Sequence, residues 1–351
     1  MVVNLGHQTS PPNFDTQERK KKIYLRNPNM QDASTSYLHI PDMLEYRPPE
    51  PSSEYNHEKL KKHFLIGLAP VPFILAGGYV AALRGVEKKF FVDAVKKSKK
   101  EFRPIIKDLE GKISKITIHT EDKIKLNCWE INPHCFEQYI IVCHGNSQNL
   151  NSCQEIYSQI HKKGYGVLAF EYRGYADNSG NTTEKGLYKD AETALNYLKN
   201  KGIKENKIGV FGYSLGGAVA TDLASKHNLN CVILMSTFTN AKELCKDGVN
   251  YLELKLPPKV KKAIDKIPNA LIPIGSDYSS DKKIASIKSP IAFIHSVNDK
   301  AIPIKHSQKL AENAKSSTAK HFITLSSGDH WLDENKFNAV SEALDKIFIS
   351  S

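Results

Sequence analysis

The 351-residue sequence contains no CxxC pair. Its six cysteines (Cys128, Cys135, Cys143, Cys153, Cys231 and Cys245) are scattered. Cys143 and Cys231 fall in apolar, strand-like runs, where cysteine acts as a small hydrophobe. The spacing argues against a metal site and a disulfide framework, and for a reducing compartment. A zinc-finger pattern, an RNP motif and a recognition helix are also absent, so the net charge of +11 is not read as a nucleic-acid footprint. A lysine-rich solvated surface or an anionic membrane face accounts for that charge instead. The N-terminus has neither the early apolar core nor the small-residue cleavage site of a secretory signal. There is no internal repeat.

What is present suggests one large domain with an appendage, or two small domains, and 40% hydrophobic residues suffice for a sizeable core. Residues 1–57 are polar and dotted with proline, which predicts a largely disordered tail. Phe64–Leu83 carries no charge over twenty residues and is flanked by Lys59, Lys61, Lys62 and Arg84. Twenty apolar residues at helical rise match the hydrocarbon thickness of a bilayer, so a membrane anchor is expected. Pro70 and Pro72 are tolerated better there than in a soluble helix. The competing reading is a buried helix or hairpin packed on the following domain. More lysine and arginine lies downstream, from Arg84 to Arg103, than upstream, and the positive-inside tendency puts the C-terminal domain on the cytoplasmic face. Residues 58–109 are therefore taken as anchor and basic juxtamembrane segment, which could also touch anionic headgroups.

From about Ile113 the chain alternates short apolar runs with helical patterns. Ile113–His119 and Ile124–Ile131 predict a strand pair turning at Glu121-Asp122. Tyr139–Cys143, Gly166–Glu171, Lys207–Phe211, Cys231–Met235, Ile291–His295 and His321–Leu325 predict further strands. Ser152–Lys163, Glu184–Asn200, Leu215–His227, Ile304–Ala314 and Trp331–Ile349 predict helices between and after them. Near-continuous apolar strands alternating with helices imply an α/β fold, a mostly parallel sheet flanked by helices on both faces. Ligands in such sheets bind beyond the carboxyl ends of the strands.

Gly212-Tyr213-Ser214-Leu215-Gly216 lies at such an end, between a predicted strand and a small-residue helix. A G-x-S-x-G in that setting is a nucleophile elbow, a sharp turn that exposes a strained serine. A serine hydroxyl needs a base, and the base needs an orienting acid, which follow here in the order acid, then histidine. Asp299 is on the loop leaving the Ile291–His295 strand, and His330 follows the last predicted strand. Asp329 and Asp277 are rival acids. His295 is expected to pack or cap, and His306 to be exposed at a helix start. Negative charge on the substrate requires N–H donors, expected from Leu215 and from Asn146 in the turn His144-Gly145-Asn146-Ser147. His144 is expected to shape that turn by hydrogen bonding. A Cys143–His144 pair is disfavoured because successive strand side chains point to opposite faces.

The HGN turn, the segment Glu171–Gly180, the GYSLGG elbow, the ND…IP loop and the GDHW ending resemble the α/β-hydrolases over roughly residues 110–350. Within them the likeness is to the BEM46-like, membrane-tethered hydrolase-domain proteins, with depalmitoylating thioesterases and lysophospholipid hydrolases among the relatives. Members often have glycine where this chain has Gln148, Ala176 and Ser296; Arg173 and Tyr175 read as structural. The fifty-five or so residues between Met235 and Ile291 exceed an ordinary connection. The resemblance implies a lid there, at about 237–289 of a catalytic domain spanning 110–351. Lys259–Ile267 reads as a short basic amphipathic helix within it. Tyr213, Leu252 and Leu256 are expected to line an apolar acyl pocket. The resulting expectation is a serine hydrolase that cleaves an ester or thioester of a lipid or acylated protein, without cofactor or metal. Its expected contacts are an acyl substrate and a membrane, not nucleic acid; its oligomeric state is open. A peptidase of the same fold and a catalytically silent membrane-bound scaffold are the alternatives.

Overall fold

The computed structural model describes residues 80, 81, 83–87, 95, 103–131, 137–251, 266 and 275–349. Within them lie eight strands, β1 Ile113–His119, β2 Lys125–Ile131, β3 Tyr139–Cys143, β4 Gly166–Phe170, β5 Ile208–Tyr213, β6 Val232–Met235, β7 Ile291–Ser296 and β8 Lys320–Leu325. They form one sheet in the order β1-β2-β4-β3-β5-β6-β7-β8. β2 pairs antiparallel with β1 and β4, and every pairing from β4 through β8 is parallel. The helices are α1 Gln154–Lys162, α2 Glu184–Asn200, α3 Leu215–Lys226, α4 Ala241–Tyr251, α5 Lys305–Asn313 and α6 Glu334–Ile349, with a short turn at Ser280–Lys283.

Side-chain alternation splits the core into two layers, one on each face. Tyr139, Ile141 and Cys143 of β3 join one cluster with α2 and α3, while Ile140 and Val142 join the other with α1 and α6. All residues of β3, β4, β5 and β6 are buried, as parallel strands covered on both faces require. Edge strand β1 instead exposes Lys115, Thr117 and His119 in alternation with half-buried Ile116 and buried Ile118. Fully buried Phe170, Phe211 and Phe293 each contribute about 2–3 kcal/mol by leaving water.

Helix ends follow their capping residues. Thr183 caps α2 by accepting the Gly186 N–H at 3.1 Å, and the helix stops before Gly202, whose φ of 88° suits glycine. The last helix begins at Glu334 rather than at Trp331 as the sequence pattern predicts. Asp333 is the reason: its side chain accepts the Lys336 N–H at 3.0 Å and its carbonyl the Phe337 N–H at 3.0 Å. Trp331 therefore stays in the loop after β8.

Several sequence expectations fall outside the described residues. These are the 1–57 tail, most of Phe64–Leu83, the lid positions Leu252 and Leu256, and all of Lys259–Ile267 except Lys266. Among the described residues no helix is long and apolar enough to cross a membrane. Leu83, which closes the uncharged run, and Val86 just after it are fully buried. Glu87 accepts the Gly275 N–H at 2.9 Å, so this short helical stretch is tied to the end of the long insertion.

Candidate active site

The turn after β5 is made possible by missing side chains. A Cβ at Gly212 would collide with the Gly216 carbonyl, at Gly216 with the Cys143 carbonyl, and at Gly217 with the Thr237 hydroxyl. Helix α3 thus starts directly against β3 and β6. Ser214 adopts φ 54° and ψ −117°, a conformation that costs a non-glycine residue on the order of 1–3 kcal/mol. Its N–H donates to the Met235 carbonyl at 2.9 Å, and its carbonyl accepts the Thr237 hydroxyl at 2.8 Å. These bonds to the end of β6 and the loop after it hold the strained residue in place.

The loops leaving β7 and β8 bring Asp299 and His330 to the same end of the sheet. His330 Nε2 lies 3.0 Å from Ser214 Oγ, and His330 Nδ1 lies 2.9 Å from Asp299 Oδ2. A carboxylate only accepts, so Nδ1 carries the proton and Nε2 is left to accept from the serine. All three residues are buried, Ser214 at 9% and His330 at 7% exposure. Asp299 Oδ1 accepts the N–H groups of Ala301 and Ile302 at 3.1 and 2.8 Å. Burial works against ionisation of Asp299, but the nearby His295 imidazole and hydrogen bonds from His330 and Ile302 outweigh it and hold the carboxyl well below the usual range. The rival acids lie elsewhere. Asp329 accepts the backbone N–H groups of Lys300 and His330, and Asp277 pairs with Ser279 on the insertion.

Leu215 opens α3, so its N–H has no intrahelical acceptor. In the turn after β3, Gly145 donates to Gln148 Oε1 at 2.8 Å and Gln148 N–H to the Gly145 carbonyl at 3.2 Å, leaving Asn146 N–H outside both bonds. His144, as the sequence suggests, shapes this turn. Its Nδ1 donates to the Gly145 carbonyl at 2.9 Å, and its Nε2 lies 3.0 Å from Glu171 Oε1. Cys143 is fully buried in the core, and burial pushes its thiol far up. Among the described residues no cluster of side chains suits a metal ion.

Four residues at the site carry roles that the sequence pattern did not reveal. Tyr213, expected at the substrate, is only 3% exposed; its hydroxyl donates to the His330 carbonyl at 2.6 Å and its ring stacks on the imidazole. Tyr175 donates its hydroxyl to Asn146 Oδ1 and so fixes that side chain. The Ser296 hydroxyl faces the Gly328 carbonyl at 2.5 Å and the Ser327 carbonyl at 3.1 Å, and by donating there joins the Asp299 and His330 loops. His295 approaches Asp299, with Nε2 3.4 Å from Oδ2. Of these four positions only Ser296, where the family resemblance implies glycine, could have been flagged by a departure from the pattern. Of the expected exposed groups, His306 is instead buried between Thr239 and Asp247.

A mostly parallel eight-stranded sheet with a serine elbow facing a histidine and an aspartate defines an α/β-hydrolase architecture. Residues 138–256 match the alpha/beta hydrolase fold family, and the chain belongs to that family. It is 30% identical over 213 residues to an uncharacterised membrane protein of Saccharomyces cerevisiae, covering 59% of this chain and 70% of that protein. An alpha/beta hydrolase domain-containing protein of Arabidopsis thaliana is 29% identical over 227 residues, 62% of this chain and 73% of its own length. Among solved structures, an esterase of Pyrococcus furiosus superposes with a TM-score of 0.57 at 22% identity, over 71% of this chain and 94% of that one. At that identity the likeness establishes the shared fold.

Proposed function

We propose that this protein is a serine hydrolase that cleaves an ester or thioester of a lipid or acylated protein. The observation that carries the reading is the unbroken Ser214–His330–Asp299 chain, at 3.0 and 2.9 Å, on a strained elbow. Ser214 Oγ attacks the acyl carbonyl as its proton passes to His330 Nε2. Negative charge then develops on the carbonyl oxygen, where the N–H groups of Leu215 and Asn146 are available as donors. The same Nε2 proton is delivered to the departing alkoxide or thiolate. Water repeats the sequence on the acyl-serine and releases the acid. Asp299 keeps the imidazole in the one tautomer that permits both transfers.

The acyl preference rests on apolar residues of the long insertion, with Leu252 and Leu256 as the proposed contacts. Membrane attachment is part of the same proposal, supported by the uncharged Phe64–Leu83 run, by its basic flanks and by the yeast relative being named a membrane protein. Burial of Leu83 argues that the end of this run packs on protein, which confines any lipid contact to the residues before it.

The deciding experiment compares wild type and Ser214→Ala for fluorophosphonate labelling and for turnover of p-nitrophenyl esters, lysophospholipids and palmitoyl-thioester peptides. The variant should lose labelling and on the order of 10⁴-fold or more in rate. Labelling that persists in Ser214→Ala would refute the nucleophile. Rates that fall steadily from two-carbon to eight-carbon esters would refute the acyl preference while leaving the nucleophile intact. For the membrane, carbonate extraction that releases the full chain into the soluble fraction would exclude a spanning segment.

A further inference from the structure

Asp299 is met by two imidazoles rather than one. His330 Nδ1 lies 2.9 Å from Oδ2, and His295 Nε2 lies 3.4 Å from the same oxygen. His295 is fully buried at the end of β7, as is its other partner, Ser307 of α5. The protonation of His295 follows from its neighbours. Nε2 lies 2.8 Å from the Ile302 carbonyl, which can only accept, so Nε2 carries a proton. Nδ1 lies 2.7 Å from Ser307 Oγ, and in the neutral ring it accepts the Ser307 hydroxyl proton. The Ile302 carbonyl and the Ser307 hydroxyl already satisfy this imidazole. Its approach to Asp299 is therefore additional to what burying a histidine requires.

The arrangement gives each oxygen of the carboxylate two neighbours. Oδ1 is pinned by the Ala301 and Ile302 N–H groups. Oδ2 would otherwise be free to swing about that anchor, away from His330. The positive edge of the His295 Nε2–H near Oδ2 restrains the swing.

We infer that His295 is a positioning residue for the proposed hydrolysis, with Ser307 fixing its tautomer. It touches neither substrate nor reacting atoms and acts through Asp299 alone. The inference rests on the Ser214–His330–Asp299 reading and extends it by two residues into the core.

The test uses the full chain, with a soluble short-chain ester as substrate and a fluorophosphonate as probe. His295→Leu removes the donor. It should lower kcat and the labelling rate on the order of 10- to 100-fold while KM stays near wild type, as expected for a misplaced catalytic group. His295→Gln can place an amide N–H close to Nε2 and should recover most of that loss. Thermal unfolding of each variant shows whether it is folded. If His295→Leu does not fold, Ser307→Ala carries the test, with an expected several-fold fall in kcat at constant KM. Wild-type kcat in a folded His295→Leu, or in Ser307→Ala when that variant stands in, would overturn the inference. So would a folded His295→Gln as slow as a folded His295→Leu. In those cases loss of labelling in Ser214→Ala still upholds the hydrolase reading. Labelling that persists in Ser214→Ala overturns both.

Discussion

The Tyr213 ring stacks on His330, with centroids 5.4 Å apart and planes inclined by 24°, while its hydroxyl donates to the His330 carbonyl at 2.6 Å. The same ring also faces Gly145, where an added Cβ would come within 2.8 Å of Tyr213 Cδ1. One side chain of the elbow therefore packs against both the histidine and the turn after β3. Tyr213→Phe keeps the stacking and deletes the hydrogen bond, leaving a buried carbonyl without that donor. The cost should be about 1–2 kcal/mol of stability, with kcat reduced severalfold and KM little changed. Calorimetry and ester kinetics check it; a large rise in KM with unchanged kcat would return Tyr213 to the substrate pocket.

The two neighbouring acids should separate sharply. Asp299→Asn replaces an anion beside His330 Nδ1 with a group that permits the wrong tautomer, so kcat should fall on the order of 10⁴-fold. Asp329→Asn keeps an oxygen able to accept the Lys300 and His330 N–H groups, so its effect should stay within about tenfold. Steady-state rates of the two variants decide the matter, and the reverse ranking would reassign the acid.

Asp247 of α4 joins the start of the insertion to α5, lying 2.9 Å from His306 Nε2 and 2.6 Å from Lys305 Nζ. Burial alone would raise its pKa, but hydrogen bonds and charge from His306 and Lys305 lower it on balance. A depressed folded-state pKa stabilises the fold above the unfolded value and loses that contribution as pH falls through the folded one. Asp247→Asn should therefore cost about 1–2 kcal/mol near neutral pH. The gap between the variant and wild-type Tm should narrow once pH drops below the ordinary aspartate value of about 3.9. A gap that stays constant from pH 7 to pH 3 would show that charge is not what fastens α4.

Ala176 has φ 42°, in the left-handed region where a Cβ crowds the following carbonyl. Glycine relieves that strain but brings more backbone entropy to the unfolded chain. Ala176→Gly should gain a net of about 0.5–1 kcal/mol with unchanged kcat. Urea unfolding measures it, and a destabilised variant would mean that the methyl packs better than the strain costs.

Strand and helix positions were legible because parallel strands buried on both faces must be apolar throughout. Each of the eight observed strands lies within about two residues of a sequence run. Ser214, Asp299 and His330 could be chosen because each follows a strand carboxyl end, and the structure brings them into hydrogen-bonding range. Residues that act through contacts formed across the fold left no such trace. His295 and Ser307 are twelve residues apart, on a strand and a helix, and no periodicity announces a hydrogen bond between them. The bond and stacking between Tyr213 and His330 were not legible either, because proximity in sequence to Ser214 says nothing about which way a strand side chain turns. The apolar pattern starts helix α6 early, at Trp331, whereas Asp333 decides the cap.

Strand β6 supplies none of Ser214, Asp299 and His330, yet it lies between β5 and β7 and bonds the Ser214 backbone through Met235. Helices can form from neighbouring residues, but the reactive geometry needs four parallel strands in register and a contact between residues 116 positions apart. Such distant pairings are slow to form. During refolding from denaturant, the return of helical circular dichroism should therefore precede the return of labelling at Ser214. The elbow would then report completion of the central sheet, and a chain trapped before β6 docks would look folded by its helices while remaining chemically inert.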